Sequence, residues 1–299
     1  MNEILVTGGT GYIGSATVKA LIANKNSVII VDNLSNSDKR YLNPKATFYQ
    51  VDLTNKSELD KVFSKHQINQ IIHFAAYKSV EESMSNLEKY SKNIIGTINL
   101  LDCMVKHNIK KIIFSSSAAV YGEPITVPID ENHLTNPVNY YGFTKLDCEN
   151  IIQQYSKLKG IVGICLRYFN VIGDAGLNYI ETHPENILPI IQEVLDGKRE
   201  KLTVFGNDYQ TKDGTCIRDY IDLNDLVRAH LLAMNLEQSE IINLGTAKGT
   251  SVLELIRWVE NKNGKKVKYE FGPRRKGDPA IITASYEKAK RVLGWIPEF

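Results

Sequence analysis

From Glu3 to Asn170, short runs rich in β-branched residues alternate with longer amphipathic stretches, and this alternation constrains the fold more than any other feature. "EILVT", "SVIIVD", "TFYQVDL", "QIIHFAA", "KKIIFSSS" and "IVGICLRYFN" read as strands. Between them, "YIGSATVKALIAN", "SELDKVFSKH", "NLEKYSKNIIGTINLLDCMVKH" and "YYGFTKLDCENIIQQYSKL" read as helices. Strands separated by helical patterns predict a parallel sheet with helices on both faces. The strands are nearly continuous apolar runs, as expected when both faces are covered. After Asn170 the rhythm becomes irregular. "VIGDAGLNYIETHPENIL" reads as a polar loop, followed by helices at "LPIIQEVLDG" and "LNDLVRAHLLAMN", a strand at "EIINLG", and helices at "SVLELIRWVENKNG" and "SYEKAKRVLGW". A chain of 299 residues suits one large α/β domain with a smaller partner.

The first strand-to-helix turn, "VTGGTGYIG", carries Gly8, Gly11 and Gly14. Glycines there permit a tight turn and close approach of a pyrophosphate, and the helix start offers N–H donors and a positive dipole end. The next strand ends in Asp32. A carboxylate at that point can accept from both adenosine ribose hydroxyls and repels a 2′-phosphate, which favours NAD over NADP. Asp52 and Leu53 end the third strand, where an adenine edge could lie. The expected architecture is therefore α/β: a Rossmann-type doubly wound parallel sheet over residues 1–170, and a smaller mixed α/β substrate domain over 171–299, partly interleaved with the first.

Within "NPVNYYGFTK", residues four apart share a helix face. Tyr141 and Lys145 meet that spacing, whereas Tyr140 is paired with Thr144. A tyrosine with its ordinary pKa near 10 is only about 0.1% phenolate at neutral pH. Service as a base requires a fall of roughly 3 units, about 4 kcal/mol. The Lys145 ammonium and the positive nicotinamide of an oxidised cofactor are both expected to lower it. "FSSSAAVYG" follows a strand, and ligands of open parallel sheets bind at that edge, so Ser117 is a candidate partner for a sugar hydroxyl.

The 36 basic and 34 acidic side chains leave a formal charge of +2, which argues against a nucleic-acid partner. Cys103, Cys148, Cys165 and Cys216 are too widely separated for a zinc knuckle or a redox pair, and no metal site is expected. Their apolar neighbours predict buried, reduced thiols. The opening "NEILVTGG" reads as strand and turn rather than a leader, and no apolar run approaches a membrane span of about 20 residues. A cytoplasmic location is the expectation.

Eight motifs occur in order: "TGGTGYIGS", "VDNLSNS", "HFAAYKSVEES", "FSSSAAVYGEP", "YYGFTK", "LRYFNVIG", "VFGNDYQTKDGTCIRDYI" and "GPRRKGDPA". Through them the chain resembles the extended short-chain dehydrogenase/reductase superfamily and, within it, the UDP-glucose 4-epimerase family, from Met1 to about Trp295. The resemblance implies that Ser117 hydrogen-bonds the sugar, that Tyr141 is the base, and that Lys145 binds nicotinamide ribose. It assigns Asp32, Asn33, Leu34, Ser35, Asn36 and Ser37 to the adenosine-ribose loop. Tyr12, Ile13, Phe74, Ala75, Ala76, Lys78, Asn93, Ser115 and Phe169 are implied as further NAD contacts. Lys78, Ala118 and Ala119 are implied near the sugar, and Asn170, Asn186, Ile187, Arg218 and Arg275 around the UDP pyrophosphate. Thr203, Val204 and Phe205 fall near uracil, and Asp278 near the uridine ribose. The implied reaction is reversible oxidation at sugar C4 with recycled NAD, in a homodimer formed through helices beginning near Asn86 and Tyr141.

Related dehydratases carry an Asp–Glu pair just after the strand-end hydroxyl, because elimination of water requires an acid and a base. Ala118 and Ala119 stand there, and methyl groups transfer no protons. A cofactor-sensing regulator without catalysis would usually lack the tyrosine or the lysine. The family's sugar-gate position corresponds to Ile282, neither bulky nor small, so N-acetylated and uronic UDP-sugars stay open beside UDP-glucose and UDP-galactose. Family members usually run on past the segment matching "LGW" with a further helix, whereas this sequence stops at "LGWIPEF". The expectation is of an end trimmed relative to the family, with Glu298-Phe299 left from cloning.

Overall fold

A computed structural model describes residues 2–180, 186–275 and 278–298. Its first half follows the expected alternation: β1 (Glu3–Thr7), α1 (Tyr12–Ala23), β2 (Ser27–Asp32), β3 (Thr47–Gln50), α2 (Lys56–Phe63), β4 (Gln70–His73), the short α3 (Val80–Ser83), α4 (Leu87–Lys106), β5 (Lys111–Ser117), α5 (Tyr140–Lys159) and β6 (Val162–Tyr168). The remainder comprises β7 (Asn170–Ile172), α6 (Ile187–Leu195), β8 (Leu202–Phe205), β9 (Ile217–Asp222), α7 (Leu223–Ala233), β10 (Glu240–Leu244), β11 (Gly249–Ser251), α8 (Val252–Asn263), β12 (Tyr269–Gly272), β13 (Ile281–Ile282) and α9 (Glu287–Leu293).

The main sheet runs β3-β2-β1-β4-β5-β6-β10, with every pairing parallel. Successive strand residues point to opposite faces, which divides the core in two. Ile4, Val6, Ile30, Ile113, Ile164 and Leu166 pack beneath α1, α7 and α9. Leu5, Ile29, Val31, Ile112, Phe114 and Cys165 pack beneath α2, α4 and α5. The continuous apolar runs of the sequence are the consequence.

The second lobe has its own core, in which Ile191 and Val194 of α6 meet Leu202, Val204, Val252, Ile256 and Val259. Around it, β9 pairs with β11, β13 and β7, and β8 pairs with β12. Of these short strands β7 runs into the segment expected to be loop, and the others carry no expected element. Their periodicity is hidden because β9 carries Arg218, Asp219 and Asp222, whose side chains bond to neighbouring segments.

After residue 170 the chain returns to the main sheet. β10, expected in the second lobe, is the edge strand of the main sheet beside β6, and α7 and α9 roof its first face. Without β10, the β6 edge would offer a row of unpaired backbone groups. Trp295 is fully buried in the same face, and its Nε1 donates to Asp225 O at 2.9 Å. Of the final pair, Glu298 N donates to Asp225 Oδ2 at 2.9 Å, while Phe299 lies outside the described residues. The expected loop from 171 to 188 likewise lies partly outside them.

Candidate active site

The order of the sheet reverses between β1 and β4, and a cleft opens at the carboxyl ends of these strands, where open α/β sheets bind ligands. Gly8 has φ +70°, and a β-carbon on it would stand 2.7 Å from Ala75 N. One on Gly14 would stand 2.1 Å from Gly8 O. The turn therefore packs backbone against backbone, leaving the space beside Gly11, Tyr12 and Ile13 to the cleft. No side chain caps α1 at Gly11 and its first turn carries no acid, so the protein leaves the positive helix end available to an anion.

On the next strand, Asp32 is held at both oxygens. Thr10 Oγ1 donates to Oδ2 at 2.7 Å, and Leu34 N and Ser37 Oγ donate to Oδ1 at 2.9 and 3.1 Å. Leu34 adopts φ +61° to make this bond and does not itself line the cleft; Asn33, Ser35, Asn36 and Ser37 do. Asp52 lies just past β3 and accepts from Asn33 Nδ2 at 2.8 Å. Burial works to raise its pKa, but hydrogen bonds from Thr54 and Asn33 outweigh this and hold it below the usual carboxylate range. Leu53 lines the same wall and packs over Gly96 of α4.

Phe74, Ala75, Ala76 and Lys78 follow β4 along the cleft floor. Asn93 of α4 fixes this segment by accepting from Tyr77 N at 2.9 Å and donating to Tyr77 O at 3.1 Å. Beneath, His73 bonds Thr7 Oγ1 at 2.7 Å and Thr97 Oγ1 at 3.1 Å. Burial, with the nearby Lys145 charge, holds the imidazole neutral, lowering its pKa to about 3.

Ser115, Tyr141 and Lys145 reach the inner end of the cleft. Asn139 caps α5 by accepting from Gly142 N at 2.8 Å, which starts the helix so that Tyr141 leans over the end of β5. Ser117 lies within hydrogen-bonding reach of the Tyr141 phenol. Lys145 Nζ donates to Ser115 O at 2.6 Å and lies 5.9 Å from the Tyr141 ring centre. Burial pushes Tyr141 up to about 12, with only Ser117 pulling the other way. Burial likewise brings Lys145 down to about 8, against opposing contributions from Cys148 and Glu149. Lys145 is not among the groups that lower the Tyr141 pKa. Tyr140 faces elsewhere: its hydroxyl bonds Ser91 Oγ at 2.7 Å and its ring stacks on Phe143.

The other expected substrate residues lie off this cleft, toward the second lobe. Ala118 and Ala119 form the turn after β5. Asn170 begins β7, while Asn186 and Ile187 begin α6. Thr203, Val204 and Phe205 lie on β8, although Val204 is buried in the lobe core. Arg218 and Asp278 form an ion pair with each other, and Arg218 Nη1 also donates to Pro279 O at 2.9 Å. The Arg275 guanidinium lies 4.0 Å over the Phe205 ring. Phe169, expected as an NAD contact, packs with Val120, Tyr121 and Ile129 in a small core that Ala118 and Ile282 also touch.

Several cleft residues escaped the sequence reading. Tyr168 bonds Ser115 Oγ, and a tyrosine at the carboxyl end of a strand was its available signal. Tyr179 stacks on Tyr41 at 4.3 Å and faces Tyr12 at 5.3 Å, from a loop with no periodicity to mark it. Among the described residues, no cluster of three or more His, Cys, Asp or Glu side chains could hold a metal. The glycine turn, the uncapped helix start and the carboxylates of Asp32 and Asp52 along the cleft fit a dinucleotide. The Ser–Tyr–Lys group fits proton transfer to and from a hydroxyl.

The sequence profile of the NAD dependent epimerase/dehydratase family matches residues 4–245. A UDP-glucose 4-epimerase of Halalkalibacterium halodurans is 46% identical over 99% of this chain and 91% of its own length. The structure is similar to that of UDP-glucose 4-epimerase from Brucella ovis in complex with NAD, with TM-score 0.95, 36% identity and coverage of 100% and 94%. It is also similar to the Bifidobacterium longum enzyme in complex with NAD+ and UDP, with TM-score 0.92, 37% identity and coverage of 100% and 94%.

Proposed function

The chain belongs to the NAD dependent epimerase/dehydratase family, and from that premise we propose that it interconverts UDP-galactose and UDP-glucose by reversible epimerisation at C4 through a transient 4-keto sugar. It is an NAD-using isomerase of galactose metabolism. The observation that supports this reading is that Tyr141 and Lys145 line the end of the cleft with Ser117 as the hydrogen-bonding neighbour of Tyr141, while Ala118 and Ala119 stand where a dehydratase needs an acid and a base.

NAD held by the glycine turn, Asp32 and Lys145 would supply the hydride acceptor and donor for C4, and its oxidised ring would add a positive charge that favours the Tyr141 phenolate. Tyr141 takes the 4-hydroxyl proton and later gives it back. Ser117 holds that hydroxyl and the carbonyl that replaces it. Lys145 orients nicotinamide ribose. Arg218, Arg275 and Asp278 hold the UDP portion, so the Arg218–Asp278 pair must share its donors with phosphate when substrate binds. Asp32 receives the adenosine ribose, whose hydroxyls compete with Ser37 for an oxygen already carrying two donors.

The reading extends to a homodimer through the outer faces of α4 and α5, where Leu87, Ile95, Phe143 and Leu158 are exposed. It also extends to a cytoplasmic location, which suits four buried free thiols. No helix among the described residues is long and apolar enough to cross a membrane.

The test is to purify the protein without added cofactor, look for co-purified NAD, and supply UDP-galactose. UDP-glucose formed without net NADH supports the reading, whereas accumulation of a 4-keto-6-deoxy sugar overturns it. Parallel assays with UDP-N-acetylglucosamine and UDP-glucuronate define the sugar scope, since Ile282 packs against the small core that contains Phe169.

A further inference from the structure

The helix that carries Tyr141 and Lys145 carries a third polar residue four positions further along, Glu149. Glu149 is fully buried and points into the sheet rather than the cleft. Its Oε1 accepts from Ser116 Oγ and from Arg167 Nε at 2.9 Å, and its Oε2 accepts from Arg167 Nη2 at 2.6 Å. Arg167 Nη1 donates to Tyr121 Oη at 3.0 Å, and Tyr121 Oη donates to Asn243 Oδ1 at 2.7 Å. Ser116, Arg167 and Asn243 are register partners across β5, β6 and β10, so one polar row ties three strands to one helix.

Stability alone is a poor reason for such a row, because a buried ion pair roughly breaks even against apolar side chains of the same volume. Its distinctive contribution is geometric. A two-pronged guanidinium–carboxylate contact fixes both the distance of α5 from the sheet and its rotation about its own axis. The anchor also falls at an informative place. Ser116 stands between Ser115, whose carbonyl receives Lys145, and Ser117, which reaches Tyr141. Three successive residues of β5 thus receive three successive turns of α5.

We propose that Glu149, held by Arg167 and Ser116, is a positioning residue: it sets the register of α5 against β5 and so the approach of Tyr141 to Ser117 and of Lys145 to Ser115. The inference rests on the epimerase reading, in which these groups act on the sugar.

Two variants test it. Glu149→Asp keeps the charge and shortens the reach by one methylene. Glu149→Leu combined with Arg167→Met removes both charges together and leaves no unpaired ion in the core. Each is compared with the unaltered NAD-loaded protein by near-ultraviolet phenolate titration of Tyr141, with the matching Tyr141→Phe protein subtracted. The kcat and KM for UDP-galactose are measured in parallel. Both variants are expected to retain NAD and to titrate Tyr141 at least about half a unit higher, as the phenol draws away from Ser117. Turnover should fall by about 10- to 100-fold, the cost of a misplacement on the order of 1 Å, with KM changed less than about threefold. A folded variant with unaltered titration and kcat overturns the proposal. So does loss of folding in both, which would make the row purely structural. If the unaltered protein itself leaves UDP-galactose unchanged, the epimerase reading fails, while the titration still decides whether Glu149 positions the tyrosine.

Discussion

Tyr140 and Tyr141 are adjacent in sequence and differ in surroundings. Tyr141 stands at the cleft, near Ser117 and Lys145, with its pKa raised by burial to about 12. Tyr140 binds Ser91 and stacks on Phe143, joining α4 to α5. Tyr141→Phe is therefore expected to lower kcat by at least about 100-fold while unfolding at nearly the same urea concentration. Tyr140→Phe should keep turnover within about twofold and lose roughly 1 kcal/mol of stability, the worth of one hydrogen bond. Assays of both purified variants with UDP-galactose, paired with urea titrations, check this; equal loss of turnover sinks the assignment. The helical spacing of four was enough to single out Tyr141. The direction of its pKa was not legible, because desolvation depends on what the fold stacks around the ring rather than on the neighbours in sequence.

At the scale of elements, the junction of β5, its following turn and α5 controls the site. Gly142 is in the first turn of α5, and a β-carbon there would stand 2.4 Å from the carbonyl oxygen of Ala119. No flexible side chain can yield at that point, since the obstacle is backbone. Gly142→Ala should therefore push the start of α5 outward and carry Tyr141 with it. The expected outcome is a fall in kcat on the order of 10²-fold and a loss of about 1–3 kcal/mol in unfolding free energy. Steady-state kinetics and a denaturant titration on the same preparation measure both, and an unaffected kcat would contradict it. α5 itself was readable at its start, because the amphipathic stretch begins at Tyr140, where the helix begins. The close pass over Ala119 was not readable, since two segments more than twenty residues apart create it.

At the scale of the whole molecule, the two halves of the chain share one core. His230 of α7, from the second half, is buried against Phe74 and Tyr168 of the first, at 4.8 and 6.1 Å between ring centres. Burial lowers its pKa to about 4, with the Leu226 carbonyl opposing, and His73 is lowered to about 3. A base with a depressed folded-state pKa binds protons more readily when unfolded. The stability involved is present above about pH 6.5 and is lost as the pH falls toward the folded values. Each histidine should contribute a slope of about 1.4 kcal/mol per pH unit within that window. Urea unfolding between pH 7 and pH 5 should show the combined slope. His230→Leu should remove about half of it at little cost at pH 7, because His230 Nε2 has no hydrogen-bond partner among the described residues. An unchanged slope in that variant would count against the buried neutral state.

The sequence by itself determined the parallel sheet, the glycine turn followed by a strand ending in Asp32, and the shared helix face of Tyr141 and Lys145, because each depends on periods and spacings within a few helical or strand repeats. Tertiary structure alone decided that β10 closes the β6 edge, that Arg218 pairs with Asp278, that Tyr168 reaches Ser115, and that Glu149 anchors α5 through Arg167. The physical reason is common to all four. Pairing of an edge strand, neutralisation of a charge and satisfaction of a buried polar group are contacts between residues distant in sequence, and no local pattern encodes which partner the fold brings within reach.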